Sequence, residues 1–209
     1  MDIQQISDER ETGRSQRSHP TDSRVITVHA ITDQPSHYRI EAMALSAADV
    51  VCSLGGLLFD RRCLGWDALV LLDDCADIRP LQIIGADCGD LEAILDLPEH
   101  PRPAAIATSV QLYRSDARVG TRVNAAVDSG STEVVLWGDT DSVGSKPQLI
   151  AVTHHISQVA TRFKTHALAA AHSQPSPDIA IEKFLTTRAT WQPGDAQHPT
   201  LNRSTTVRF

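Results

Sequence analysis

The stretch Val70 to Asp90, VLLDDCADIRPLQIIGADCGD, sets two short apolar runs before turns rich in acids and cysteine. How these runs pair decides the kind of sheet the chain builds. The segment WDALVLLDD reads as a strand with Ala68, Val70 and Leu72 on one side and Leu69 and Leu71 on the other. Two apolar faces place such a strand in the interior of a sheet. RPLQIIGAD reads as the next strand, with Pro80 tolerated at its start or edge. The connection DDCADI is too short for the helix of a parallel crossover, so the expected sheet is mixed.

The acids of this stretch raise the question of a metal or phosphate site. Asp73, Asp74, Asp77, Asp87 and Asp90 are hard oxygen donors, but they serve a cation only where their loops meet. An antiparallel second strand would carry its end to the opposite edge. Asp87 is instead expected as the N-cap of DCGDLEAIL, whose Leu91, Ile94 and Leu95 form an apolar helical side; Asp90 and Glu92 then lie in the first turn. Gly85 and Gly89 flank a strand-to-helix junction, yet GxGxxG spacing is absent and the adjacent carboxylates repel phosphate.

Upstream, VITVHAI and HYRIEAMAL read as strands. Ser46 and Asp49 then have capping-box spacing ahead of Val50, Leu54, Leu57 and Leu58, which predicts a helix. Gly55 and Gly56 cost that helix about 0.8–1 kcal/mol each relative to alanine, which points to close backbone packing or a break. Downstream, AAIATSVQLY holds a strand, DARVGTRVNAAVDSG a helix with Gly130 at its exit, and TEVVLWGD a strand. From Pro147 to about Ala171, Leu149, Val152, Ile156, Val159, Phe163 and Ala167 recur at three- and four-residue steps and predict one amphipathic helix.

These elements define an α/β class: an open mixed sheet with flanking helices and flexible terminal segments. Residues 1–24 are expected as a disordered leader, 25–172 as a single domain, and 173–209 as a linker and weakly ordered tail, with IAIEKFL an amphipathic patch. The chain has 209 residues, enough for one substantial core without disulfides. Its 26 acids against 19 Lys and Arg give a net charge of −7, which argues against autonomous nucleic-acid binding and against an anionic membrane. No apolar run of about 18 residues is present, so cytoplasmic residence is expected. Cys52, Cys63, Cys75 and Cys88 lack CxxC spacing and are expected as reduced, partly buried thiols.

No catalytic constellation emerges from the residues. His154 and His155 are adjacent and do not reproduce HExxH, a cysteine nucleophile has no assigned base, and GxSxG is absent. No catalytic residue, metal or cofactor is therefore expected. The leading expectation is a noncatalytic intracellular interaction or regulatory module, with a protein partner or self-association through Arg162, Lys164, His166 and Trp191. The alternative is an enzyme binding a small molecule at the strand-to-helix loops, with Asp87, Cys88, Asp90, Gly138, Asp139 and Asp141 as pocket candidates. A narrower third reading is a DNA-associated regulator using the Arg162 helix or Arg203 and Arg208; no helix-turn-helix pair supports it. Trp66 and Trp137 are expected to cover sheet edges with their indole N–H groups on acceptors.

Overall fold

The computed structural model describes residues 38–97, 102–144 and 146–187. The expected leader, the strand VITVHAI, Trp191, Arg203 and Arg208 lie outside the described residues. Seven strands form one sheet in the order β3-β2-β1-β4-β5-β7-β6. In chain order the elements are β1 Arg39–Met43, α1 Ala47–Cys63, β2 Asp67–Leu72, α2 Arg79–Ile83, β3 Asp87–Asp90, α3 Leu91–Leu95, β4 Ala105–Ser109, α4 Val110–Ser115, α5 Ala117–Ser129, β5 Glu133–Trp137, β6 Ile150–His155, α6 Gln158–Ala170 and β7 Ile181–Thr186. Strands β1 to β5 are parallel, whereas β7 runs antiparallel to both β5 and β6. The fold is thus the expected open mixed α/β sheet with helices on both faces. Among the described residues no helix is long and apolar enough to cross a membrane.

Alternation along the strands divides the core. Ile40, Ala42, Val70, Leu72, Ala105, Ala107, Val135 and Trp137 pack with α1, α2 and α6, while Met43, Leu69, Leu71, Ile106, Val134 and Leu136 pack with α3, α4 and α5. The interior position read for β2 is therefore correct, and both of its apolar faces are used.

The antiparallel turn read at Val70–Asp90 is not what forms. RPLQIIGAD is a helix, α2, followed by a turn at Gly85 (φ 77°), and DCGD is the strand, pairing parallel to β2 with Leu72 opposite Asp90. Pro80 in the first turn of α2 suits a position whose N–H needs no helical partner. The supposed second strand is itself the crossover, so DDCADI did not have to hold one. The cap also moves by three residues: Asp90, not Asp87, accepts the Ala93 N–H at 3.0 Å.

Two further differences concern the C-terminal half. The helix expected from Pro147 to Ala171 is a strand and a helix, β6 and α6, separated at Ser157, whose Oγ accepts the Ala160 N–H at 3.0 Å. Ile181–Thr186, within the segment expected as linker and tail, lies in the sheet between β5 and β6. Cys75 and Cys88 are joined in a disulfide rather than reduced, tying the β2–α2 loop to β3. Cys52 and Cys63 are free and exposed.

Glycines at 55 and 56 do mark close packing. A Cβ at Gly56 would stand 2.4–2.8 Å from the Ile156 side chain. The Glu182 carboxylate of β7 also enters here, accepting the Gly56 and Leu57 N–H groups at 2.8 and 2.9 Å and the Lys164 ammonium at 2.6 Å.

Candidate functional site at the strand carboxyl ends

Strand order reverses between β1 and β4: the chain builds outward to β2 and β3 on one side and to β5 on the other. Crevices beyond the carboxyl ends of the strands at such a reversal are where doubly wound sheets hold ligands. Here β1 runs through Ala44 and Leu45 into Ser46, which caps α1 by accepting the Asp49 N–H at 3.2 Å. β4 ends on Ser109, which caps α4 by accepting the Leu112 N–H at 3.1 Å.

Asp49 is the central functional side chain at this junction. Its carboxylate is half-buried and accepts the indole Nε1–H of Trp137 at 3.1 Å (Oδ2) and 3.2 Å (Oδ1). Ser53 Oγ, one helical turn on, donates to Oδ1 at 3.4 Å. Trp137 ends β5 and is 1% exposed, so a rigid buried ring fixes the carboxylate across the end of the intervening strand β4. The acceptor expected for this indole is thereby identified.

The acidic turns do converge, contrary to the antiparallel expectation, because β2 and β3 are parallel and end side by side. Asp73, Asp74, Asp90, Asp139 and Asp141 are exposed along this one edge. Local geometry still explains several of them: Asp74 accepts the Ala76 N–H at 2.8 Å, and Asp90 caps α3. Asp87 is half-buried in β3, Cys88 is in the disulfide, and Gly138 (φ 96°) turns the chain from β5 toward Asp139 and a 3-10 turn, Thr140–Val143. Asp90, Gly138, Asp139 and Asp141 thus lie at the carboxyl ends of β3 and β5, whereas Asp87 begins β3 opposite Leu69 and Cys88 is buried within it; at the reversal itself the carboxylate is Asp49, which the capping-box reading had explained as a local feature. Among the described residues no group of three or more His, Cys, Asp or Glu side chains is placed to hold a metal ion.

Beside this edge, Lys146 Nζ donates to Tyr113 Oη at 2.8 Å and to Asn124 Oδ1 at 2.6 Å, linking the segment before β6 to α4 and α5. His154 and His155 lie elsewhere, on strand β6 rather than on a helix. His154 is half-buried beside Asp60 (3.8 Å) and Phe184, and burial holds its pKa below the usual histidine value. Disulfide bonding removes Cys75 and Cys88 as nucleophiles.

The proposed partner face is dismantled by burial. Lys164 is 2% exposed and paired with Glu182, leaving only Arg162 and His166 on the solvent side of α6. The same loss removes the central cation from the DNA-reading patch.

Fold and site define an open, doubly wound α/β domain with a carboxylate at its topological switch point. No family model matches the chain, and no curated protein is similar to it. Similar solved structures include the A40926 pseudoaglycone deacetylase Dbv21 (TM-score 0.49, 14% identity, covering 75% of this chain and 100% of that one). They also include a triple mutant of the teicoplanin-pathway deacetylase Orf2 (0.48, 16%, 71% and 96%) and the conserved protein TT1542 from Thermus thermophilus (0.47, 15%, 73% and 96%). The N,N'-diacetylchitobiose deacetylase of Pyrococcus horikoshii is similar too (0.42, 11%, 69% and 73%). Burial of Lys164 against Glu182 removes the patch on which the expectation of a noncatalytic regulatory module with a protein partner or self-association rested, and that expectation is corrected.

Proposed function

We propose that the chain is an enzyme acting on a small molecule bound at the strand-to-helix loops, with Asp49 as its general base. The observation that carries this reading is the Asp49 carboxylate held by the Trp137 indole at the reversal of strand order. A carboxylate fixed on one side by a rigid donor keeps lone pairs for a substrate O–H or N–H on the other. The exposed Asp73, Asp74, Asp90, Asp139 and Asp141 give the mouth a negative field, which favours neutral or amine-bearing polar molecules over anions.

The test is a thermal-shift and turnover screen of the native chain against neutral and amine-bearing polar compounds, repeated on Asp49→Asn. Stabilisation by a compound, with turnover that falls about 10²- to 10⁴-fold in the variant, supports a general base. Turnover unchanged in Asp49→Asn rules it out. For location, the exposed free thiols of Cys52 and Cys63 support a cytoplasmic reading, whereas the Cys75–Cys88 bond is of a kind that persists in oxidising compartments. Alkylation of the chain in its native extract, counting the modified cysteines, decides between them.

A further inference from the structure

At the opposite end of the sheet, before β4 and β5, a cavity of about 150 Å³ opens between the sheet and α5. Two guanidinium side chains, Arg102 and Arg122, line it, and among the described residues no carboxylate does. Arg122 is anchored from behind by Glu41, 1% exposed on β1, through a 2.7 Å bond from Nη2. That bond occupies one corner of the guanidinium fork. The Arg122 Nε–H is buried and has no hydrogen-bond partner among the described residues. Arg102 is exposed at the rim.

The rest of the wall sets apolar Pro103, Ile106 and Ala126 beside the hydroxyl-bearing Ser129 and Thr132, whose Oγ and Oγ1 donate to the Ala126 and Pro103 carbonyls. With Glu41 neutralising one positive charge, Arg102 and Arg122 leave a net charge of +1 at the cavity; Arg39, two residues before Glu41 on the same strand face, adds a further cation nearby, itself in contact with other groups. A volume of this size admits a short-chain acid. Planar guanidinium groups match carboxylate geometry in a paired, bidentate fashion.

We propose that this cavity binds a small organic carboxylate with a short aliphatic body, its oxygens on Arg122 and Arg102 and its carbons against Pro103, Ile106 and Ala126. The site is independent of Asp49 and stands at the other end of the strands, so it does not depend on the proposed activity.

Calorimetric titration of the full chain at low ionic strength with butyrate and, separately, inorganic phosphate tests it. Butyrate is expected to bind saturably, more tightly than phosphate, with a Kd of about 1 mM or below. Arg102→Ala and Arg122→Lys are each expected to weaken it about 10-fold or more, since one ionic hydrogen bond contributes roughly 1.5–3 kcal/mol. Arg102 is a rim residue, so its variant keeps the fold, verified by an unchanged melting temperature. Binding of phosphate alone, butyrate binding unaffected by Arg102→Ala, or no saturation with either anion up to ~20 mM overturns the proposal.

Discussion

Replacing Lys164 with methionine breaks an ion pair buried in the core from one side. In the native chain the Glu182 carboxylate is 2% exposed and accepts three donors: Lys164 Nζ at 2.6 Å, Gly56 N–H at 2.8 Å and Leu57 N–H at 2.9 Å. Methionine keeps most of the aliphatic length of Lys164 and removes the ammonium, leaving a buried carboxylate with two backbone donors and no counter-charge. Breaking a buried pair from one side costs about 3–5 kcal/mol. With a urea slope of about 2 kcal/mol/M, the unfolding midpoint falls by ~1.5–2.5 M. The pH dependence carries the sign. Burial already raises the Glu182 pKa above its ordinary 4.5 even with Lys164 opposing it, and without the ammonium it rises further. Above 4.5 the unfolded state has released the proton that the folded state retains, so the stability tied to this group is full below 4.5 and is lost as pH climbs through the raised folded value. The variant should therefore recover stability on acidification from about pH 8 toward about pH 5 more steeply than the native chain. Urea melts at those pH values measure it. A midpoint loss below ~0.5 M, or a pH slope identical to that of the native chain, refutes the reasoning.

Gly56→Ala forces a methyl to within 2.4–2.8 Å of Ile156 and should cost about 1–3 kcal/mol in urea melts, with Ile156→Val in the same chain returning part of it. Reducing the Cys75–Cys88 bond, or replacing both cysteines with serine, frees a loop of sequence separation 13 and should lower stability by up to about 3 kcal/mol, read as a loss of melting temperature on adding reductant. Trp137→Phe removes the Asp49 partner while keeping an aromatic ring; intrinsic fluorescence should change and ligand-induced stabilisation should weaken, with the overall circular dichroism preserved.

How much of this was legible follows from which interactions leave a local trace. The strands β1, β2 and β5 and the helices α1 and α5 show their periodicity openly, and their caps at Ser46 and Gly130 form as the spacing predicts. RPLQII failed because a five-residue helix and a buried strand have the same short apolar run, and only the proline favours the helix. Between Leu149 and Ala167 a helical period is present, but it joins two elements. Val159 is 55% exposed and Phe163 41%, while Ala160, Lys164, Ala167 and Leu168 face the core. Hydrophobicity chose the wrong face because the residue that fixes the right one is a lysine. The same holds for Arg61 and Glu133, each nearly fully buried and joined at 2.8 Å between the end of α1 and the start of β5. A charged residue reads as surface until its partner, 72 positions away, is known.

Asp49 shows why a sufficient local explanation does not exhaust a residue. The spacing of Ser46 and Asp49 accounts for the backbone bond from Asp49 N–H to Ser46 Oγ, and that bond forms. In a full capping box the acid side chain would also reach back to the N-cap N–H. Here the carboxylate turns to Trp137, 88 residues away, and to Ser53. The cap therefore needs only the backbone of residue 49, while the side chain serves the strand-end crevice. Substituting asparagine separates the two: the backbone cap survives, the helix start is retained, and only the charge is lost. A variant that melts within about 0.5 kcal/mol of the native chain yet loses ligand-dependent turnover assigns the carboxylate to function, whereas a stability loss of about 1–3 kcal/mol, typical of leaving a buried donor such as the indole N–H poorly matched, assigns it to structure.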